Sequence, residues 1–234
     1  MSRPRRSRRW RGYDHGDDHR APGAVRGARA GRLETTLVIR QPRRSMGQDE
    51  RRERIVEAAR DCIALSGIHG AAMAEIAERA ELGVGQVYRI FESKEALIAQ
   101  IANEDLAEMR AMLDALDGGA AGLLDEICAL VPQSIDRCFD TRRVALRTEL
   151  AAEAARNPRV AGILQVVDRQ GRAAFEELMS ALRRSGETVG DFRARCEFVH
   201  VLFDGLAVRS INHPQADRAI LTRLVQMTLR RLFA

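Results

Sequence analysis

Residues 80–97 read AELGVGQVYRIFESKEAL. Gly83 and Gly85 open a short segment of otherwise helical spacing, although glycine weakens a helix interior. The pair makes sense where a helix begins. Gly83 is an acceptable N-cap, and a missing side chain at Gly85 in the first turn lets another backbone come close. Val87 and Phe91 share one side of that helix, and Gln86, Tyr88 and Arg89 point outward. Upstream, Met73, Ile76, Ala77 and Ala80 mark another short helix over residues 72–79, so residues 73–91 have the layout of a helix-turn-helix. A phosphodiester at the edge of a major groove needs the access that Gly85 gives, and N–H groups at a helix start attract phosphate. Gln86 suits a base edge, Arg89 guanine or phosphate, and the Tyr88 hydroxyl a phosphate. An ordinary tight corner between helices also favours glycine, but leaves the outward Gln86, Tyr88 and Arg89 unexplained.

Working outward, apolar residues recur at helical spacing from Glu50 onward and strand alternation is absent. Ile55, Ala59, Cys62 and Ile63 form a stripe ending near Gly67. A longer helix runs over residues 94–117, and another over 123–131 that Pro132 kinks or ends. Residues 144–155 precede the Asn157-Pro158 stop, and a long helix follows from Val160 to about Leu182. Phe192, Cys196, Val199, Phe203 and Leu206 belong to the next, and Leu221, Leu224, Val225, Thr228, Leu229 and Leu232 to the last. The chain is expected to be all-α, with about nine helices.

Composition bounds the partners. Of the 234 residues, 45% are apolar and 30% charged, and no run approaches the ~20 apolar residues of a membrane helix. The net charge of +5 conceals an asymmetry: residues 1–45 carry +9 and the remainder −4. The basic excess therefore belongs to the Arg-rich tail, read as disordered. RRSRRW at residues 5–10 has the twin arginines of an export signal without an apolar stretch behind it, so a cytoplasmic location is expected. Met46, just ahead of the first helical pattern, is the candidate start. Cys62, Cys128, Cys138 and Cys196 show no CxxC pair and read as buried, reduced thiols; no metal or cofactor site is expected. There is no GxSxG, HExxH or phosphate loop, so no catalytic residue is assigned. His200 is read as a satisfied polar group.

The stretch IVEAARDCIALSGIHGAAMAEIAERAELGVGQVYRIFESKEAL, residues 55–97, resembles the DNA-binding domain of TetR-type transcriptional regulators. Its landmarks are Ala58-Ala59, Gly67, Ile76-Ala77, Ala80, Gly85, Tyr88, Phe91 and Ser93-Lys94-Glu95, with the match covering about residues 50–103. The resemblance implies a three-helix DNA-binding domain over residues 46–103, in which Val84, Gly85, Gln86, Tyr88 and Arg89 face double-stranded DNA. Lys94 then meets a phosphate, and Arg51 is a further cation for it. Arg52, Arg54 and Arg79 are further well-placed cations of this domain. The chain departs from the family in three places: Glu81 stands where it usually has glycine in the turn, Gly83 where it has Ser or Thr, and Ala71-Ala72 where it has Thr or Ser nearby. Residues 46–103 hold 7 basic and 10 acidic side chains, so binding is expected to rest on few cations and to be salt-sensitive.

The resemblance also implies a helical ligand-binding and dimerisation domain over residues 104–234. ELAAEAARNPRV at 149–160 and FDGLAVRSI at 203–211 are similar to such domains. The last two helices, over 192–210 and 215–233, are the expected homodimer interface, through Phe203, Leu206, Leu221, Leu224, Val225, Thr228, Leu229 and Leu232. Cys128, Phe139, Phe175 and Met179 are candidate pocket residues, with Arg147 and Asp168 as polar anchors for an unidentified small-molecule effector. The expected function is a repressor released from a palindromic operator by that effector. The alternatives are a constitutive DNA binder without a ligand and a helical interaction module.

Overall fold

A computed structural model of the chain describes residues 47–116 and 119–234, with only the backbone of Ala120 and Ala121. The tail over 1–45 and Met46 lie outside the described residues. Among the described residues nine helices follow in order: α1 (Gln48–Gly70), α2 (Met73–Arg79), α3 (Val84–Ile90), α4 (Lys94–Asp114), α5 (Gly119–Cys138), α6 (Thr141–Ala154), α7 (Pro158–Met179), α8 (Val189–Asn212) and α9 (Arg218–Phe233). A 3₁₀ turn, Ser180–Leu182, ends α7, and there is no strand among the described residues. The all-α expectation holds.

Short polar side chains set most helix starts. Ser93 accepts from Ala96 N at 3.1 Å, Asp140 from Arg143 N at 2.9 Å, and Asp217 from Ile220 N at 3.0 Å. Asn157 accepts from Arg159 N at 3.1 Å with Pro158 at N1, so the Asn-Pro pair that stops α6 also starts α7. By contrast α2 and α3 begin at Ala72 and Gly83 with no side-chain cap. At Gly67 the backbone of α1 breaks, at φ 73° and ψ 169°, and one more turn carries on to Gly70. A Cβ at Gly67 would lie 3.0 Å from Glu149 Oε2, because α6 passes close by.

Pro132 does not end its helix: α5 continues to Cys138. Proline lacks the N–H that would satisfy the carbonyl four residues back. That carbonyl, on Cys128, instead accepts the Gln226 Nε2 amide of α9 at 2.8 Å. The proline thus opens a bond that fastens α9 to α5. Helix α4 stops at Asp114, short of the expected 117.

Two apolar clusters form the interior. In the first, Ile55, Ala59, Cys62 and Ile63 of α1 meet Ile76 and Ala77 of α2, Val87 of α3 and Leu97, Ile98 and Ile101 of α4. Leu146, Leu150 and Val160 of α6 and α7 complete it. The residues before 103 therefore share a core with those after it. The second joins α5, the end of α7, α8 and α9 through Ile127, Val131, Ile135, Met179, Cys196, Val225 and Leu229. Where α7 crosses α4, a Cβ on Gly171 would come within 3.1 Å of Met109. All four cysteines are free and buried, and burial pushes their thiols up, Cys196 to about 11.

Candidate nucleic-acid interface

The turn between α2 and α3 is a Schellman motif. Leu82 N donates to Ala77 O at 2.9 Å and Glu81 N to Glu78 O at 3.0 Å, with Glu81 in the left-handed region at φ 57°. Glycine is the usual residue there, and a side chain costs about 1 kcal/mol. Glu81 is the one non-glycine residue at positive φ among those described. Ile76, Ala77, Val87 and Phe91 then pack α3 onto α2 and α1.

That packing decides what α3 shows. Val87 is fully buried, whereas Val84, Gly85, Tyr88 and Arg89 form one exposed face, with Tyr88 half exposed. Nothing in the chain lies within 4 Å of where a Gly85 Cβ would stand. The chain's own packing therefore does not require glycine at this position. The Gln86 side chain folds back, its Oε1 accepting the Gly83 N–H at 3.0 Å. Arg89 Nε donates to Gly85 O at 3.2 Å.

The cations of this domain are largely committed within the chain. Lys94 Nζ donates to Ile68 O at 2.6 Å, capping the end of α1. Arg52 lies over the Phe91 ring at 4.9 Å and donates to Gln100. Arg54 faces Glu81 at 3.8 Å and Arg79 faces Asp61 at 3.9 Å. Arg51 makes no side-chain hydrogen bond or ion pair among the described residues, and Arg89 bonds only its own helix backbone. Arg51 and Arg89 are the cations held least.

The remaining candidates lie apart from this face. Cys128, Phe139, Phe175 and Met179 sit in the second core cluster. Arg147 is exposed and pairs with Asp204, and Asp168 pairs with Arg172 at 2.9 Å. His200 is not the satisfied polar group expected: its buried Nε2 has no hydrogen-bond partner among the described residues, and its ring meets Phe175 edge-on at 5.2 Å. Burial pulls its pKa down, so the neutral ring is favoured.

On α9, Val225 and Leu229 face inward and are buried in the chain's own core, so neither is open to a partner. Phe203, Leu206, Leu221 and Leu232 are half-buried against the same cluster, and Thr228 donates to Leu224 O. Of the expected residues only Leu224 is a largely exposed apolar side chain. It continues a face that sequence reading missed: Phe198, Val201, Val208 and Ile211 on α8 with Ile220, Leu224 and Met227 on α9, each 45–60% exposed. The signal was present, since α8 carries a second apolar series at three- and seven-residue spacing beside its core stripe.

Residues 55–101 match the family described as bacterial regulatory proteins, tetR family, and residues 118–234 match the tetracyclin repressor-like C-terminal domain. The HTH-type transcriptional regulator UidR of Escherichia coli K12 is 33% identical over 118 residues, 49% of this chain and 57% of that protein. Similarity to that curated relative thus spans little more than half its length. Among solved structures, Salmonella enterica GusR is 26% identical, with a TM-score of 0.65 over 80% of this chain and 98% of that one. FadR of Bacillus subtilis, in complex with stearoyl-CoA, shares the fold at 17% identity, with a TM-score of 0.63 over 78% and 97% of the two chains.

Proposed function

The chain belongs to the tetR family of bacterial regulatory proteins, and from that premise we propose that it is a homodimeric repressor whose operator is released by a small, largely apolar molecule. The exposed face of α3, Val84, Gly85, Tyr88 and Arg89 held out by buried Val87 and Phe91, is the observation that carries the DNA reading. Gly85 supports it, because a phosphodiester gives a reason for a glycine that the chain's own packing does not require. Gln86 reaches a base edge after exchanging its bond to Gly83, and Arg51 and Lys94 flank the phosphates. The protein works where that DNA is, in the cytoplasm. No helix of the described residues is long and apolar enough to cross a membrane.

Residues 46–103 serve as the DNA-binding part and residues 104–234 as the ligand-binding and dimerisation part. The shared core supports coupling between them. Buried Glu153 on α6 bonds His69 at the end of α1 at 3.1 Å and Asn157, the cap of α7, at 3.1 Å. Lys94 caps Ile68 one residue away. A shift of α6, α7 or α4 therefore reaches the end of α1 through few bonds. The effector site lies within the second cluster, near Cys128, Phe139, Phe175 and Met179, with Arg147 and Asp168 at its polar margin. FadR supports a ligand-responsive reading, since a protein of the same fold is in complex with stearoyl-CoA.

Selection of duplexes from a random library, followed by anisotropy, tests the reading. Tyr88→Ala is expected to weaken selected and unrelated duplexes alike, by about ten-fold, and Gln86→Ala to narrow the difference between them. Unchanged binding by Tyr88→Ala would contradict the docking of α3. Compounds that raise Tm are then titrated into the complex. If none changes operator affinity, a constitutive DNA binder is the better account.

A further inference from the structure

We propose that Glu81 sets the DNA affinity of this chain, its carboxylate holding Arg54 away from phosphate and repelling the duplex beside α3. The inference rests on the reading of α3 as the DNA-facing helix. Glu81 lies in the α2–α3 turn two residues ahead of Gly83, the N-cap of α3, and its exposed carboxylate faces Arg54 of α1. It occupies a left-handed position, at φ 57°, that glycine holds without strain.

Neither partner serves the fold. The Glu81 and Arg54 side chains are 80% and 46% exposed and 3.8 Å apart, a separation and exposure that add little stability. A strained residue that gives the core nothing has its effect outside the core. In a domain with 7 basic and 10 acidic residues, occupying one cation weighs heavily on attraction to phosphate. Freeing Arg54 adds one phosphate contact, and each contact steepens the dependence of log K on log salt by about 0.9.

Binding to a mixed-sequence 40-base-pair duplex suffices as the probe, because the effect does not depend on sequence. Glu81→Gln keeps the side chain and the strain but removes the charge. It is expected to bind about five-fold tighter than wild type, with a salt slope steeper by roughly one and an unchanged Tm. Glu81→Gly should show the same gain and also raise Tm by about 2–4 °C. In an Arg54→Ala background the gain from Glu81→Gln should fall below two-fold. If Glu81→Gln matches wild type in affinity and slope while wild-type binding remains sensitive to salt and to Tyr88→Ala, the inference about Glu81 is wrong and the DNA-facing reading stands. A gain confined to particular base sequences would also overturn it, pointing to base reading by the carboxylate. If wild type and Tyr88→Ala bind equally and without salt dependence, the reading of α3 fails and takes this inference with it.

Discussion

Chains carrying Leu224→Glu and Met227→Glu together are expected to sediment at 26.1 kDa, against twice that for wild type, and to lose at least a hundred-fold in affinity for a palindromic duplex. The expectation follows from the exposed face of α8 and α9. Phe198, Val201 and Val208 recur at three- and seven-residue steps, and Ile220, Leu224 and Met227 at four and three. That is the spacing of a helix seam, and the seven large apolar side chains left in water on α8 and α9 are the proposed association surface. In a two-fold pair each substituted carboxylate falls on the symmetry-related copy of its own patch, so both repulsion and desolvation oppose assembly. Both positions are already exposed, so the monomer keeps its fold and its Tm reports that directly. Leu229→Glu differs sharply. Leu229 is 2% exposed, and a carboxylate there unfolds the chain instead of separating two copies. Loss of DNA affinity with the fold intact is the diagnostic result, because two α3 helices about 34 Å apart bind as one unit only when joined. Wild type sedimenting as a single chain at micromolar concentration would sink the dimer reading.

The difference between Leu224 and Leu229 also marks what sequence could and could not reveal. Period places the helices: a short helix after Gly83 is legible and proves to be Val84–Ile90, and Asn157-Pro158 reads as a stop, to which the structure adds the start of α7 at Pro158. Period alone does not separate a stripe packed on its own chain from one awaiting a second copy, because both are apolar at the same spacing. Val225 and Leu229 therefore read as partner-facing by period although they serve the core. Long-range bonds were illegible for a different reason. Nothing local to Pro132 announces that Gln226, ninety-four residues on, meets the carbonyl it frees. Lys94 was legible as a cation at a helix start, but not that Ile68 O would take its ammonium. Glu81 was readable only as a departure from the family's turn glycine, since the residue type alone does not say whether the backbone stays left-handed, as it does here at φ 57°.

Arg195→Met is expected to lower Tm by roughly ten degrees, whereas Arg195→Met with Glu187→Leu should recover most of the loss. Arg195 is the fastening of the C-terminal helix. Its guanidinium bonds both oxygens of Glu187, with Nε 2.7 Å from Oε1, and Nη1 donates to Leu232 O at the end of α9. It lies 4.7 Å from the Phe233 ring centroid and 5.7 Å from that of Phe192, joining α8 to α9 by stacking as well as charge. The side chains of Arg195 and Glu187 are only 11% and 8% exposed. Methionine fills much of the arginine's volume, so the single variant mainly leaves a carboxylate sequestered without its cation. Restoring an apolar partner at position 187 removes that charge, and the residual deficit measures the lost ion pair, Leu232 bond and ring stacking together. Acid provides an independent check with a definite sign. The hydrogen bonds from Arg195 hold the Glu187 carboxyl below its usual range, so its contribution is present at neutral pH and disappears as pH falls through the lowered folded-state value. The Tm gap between wild type and the double variant should therefore narrow below about pH 4. A gap that stays constant from pH 7 to pH 3 would assign the stability of this corner to packing around Phe192 and Phe233, with the ion pair contributing nothing.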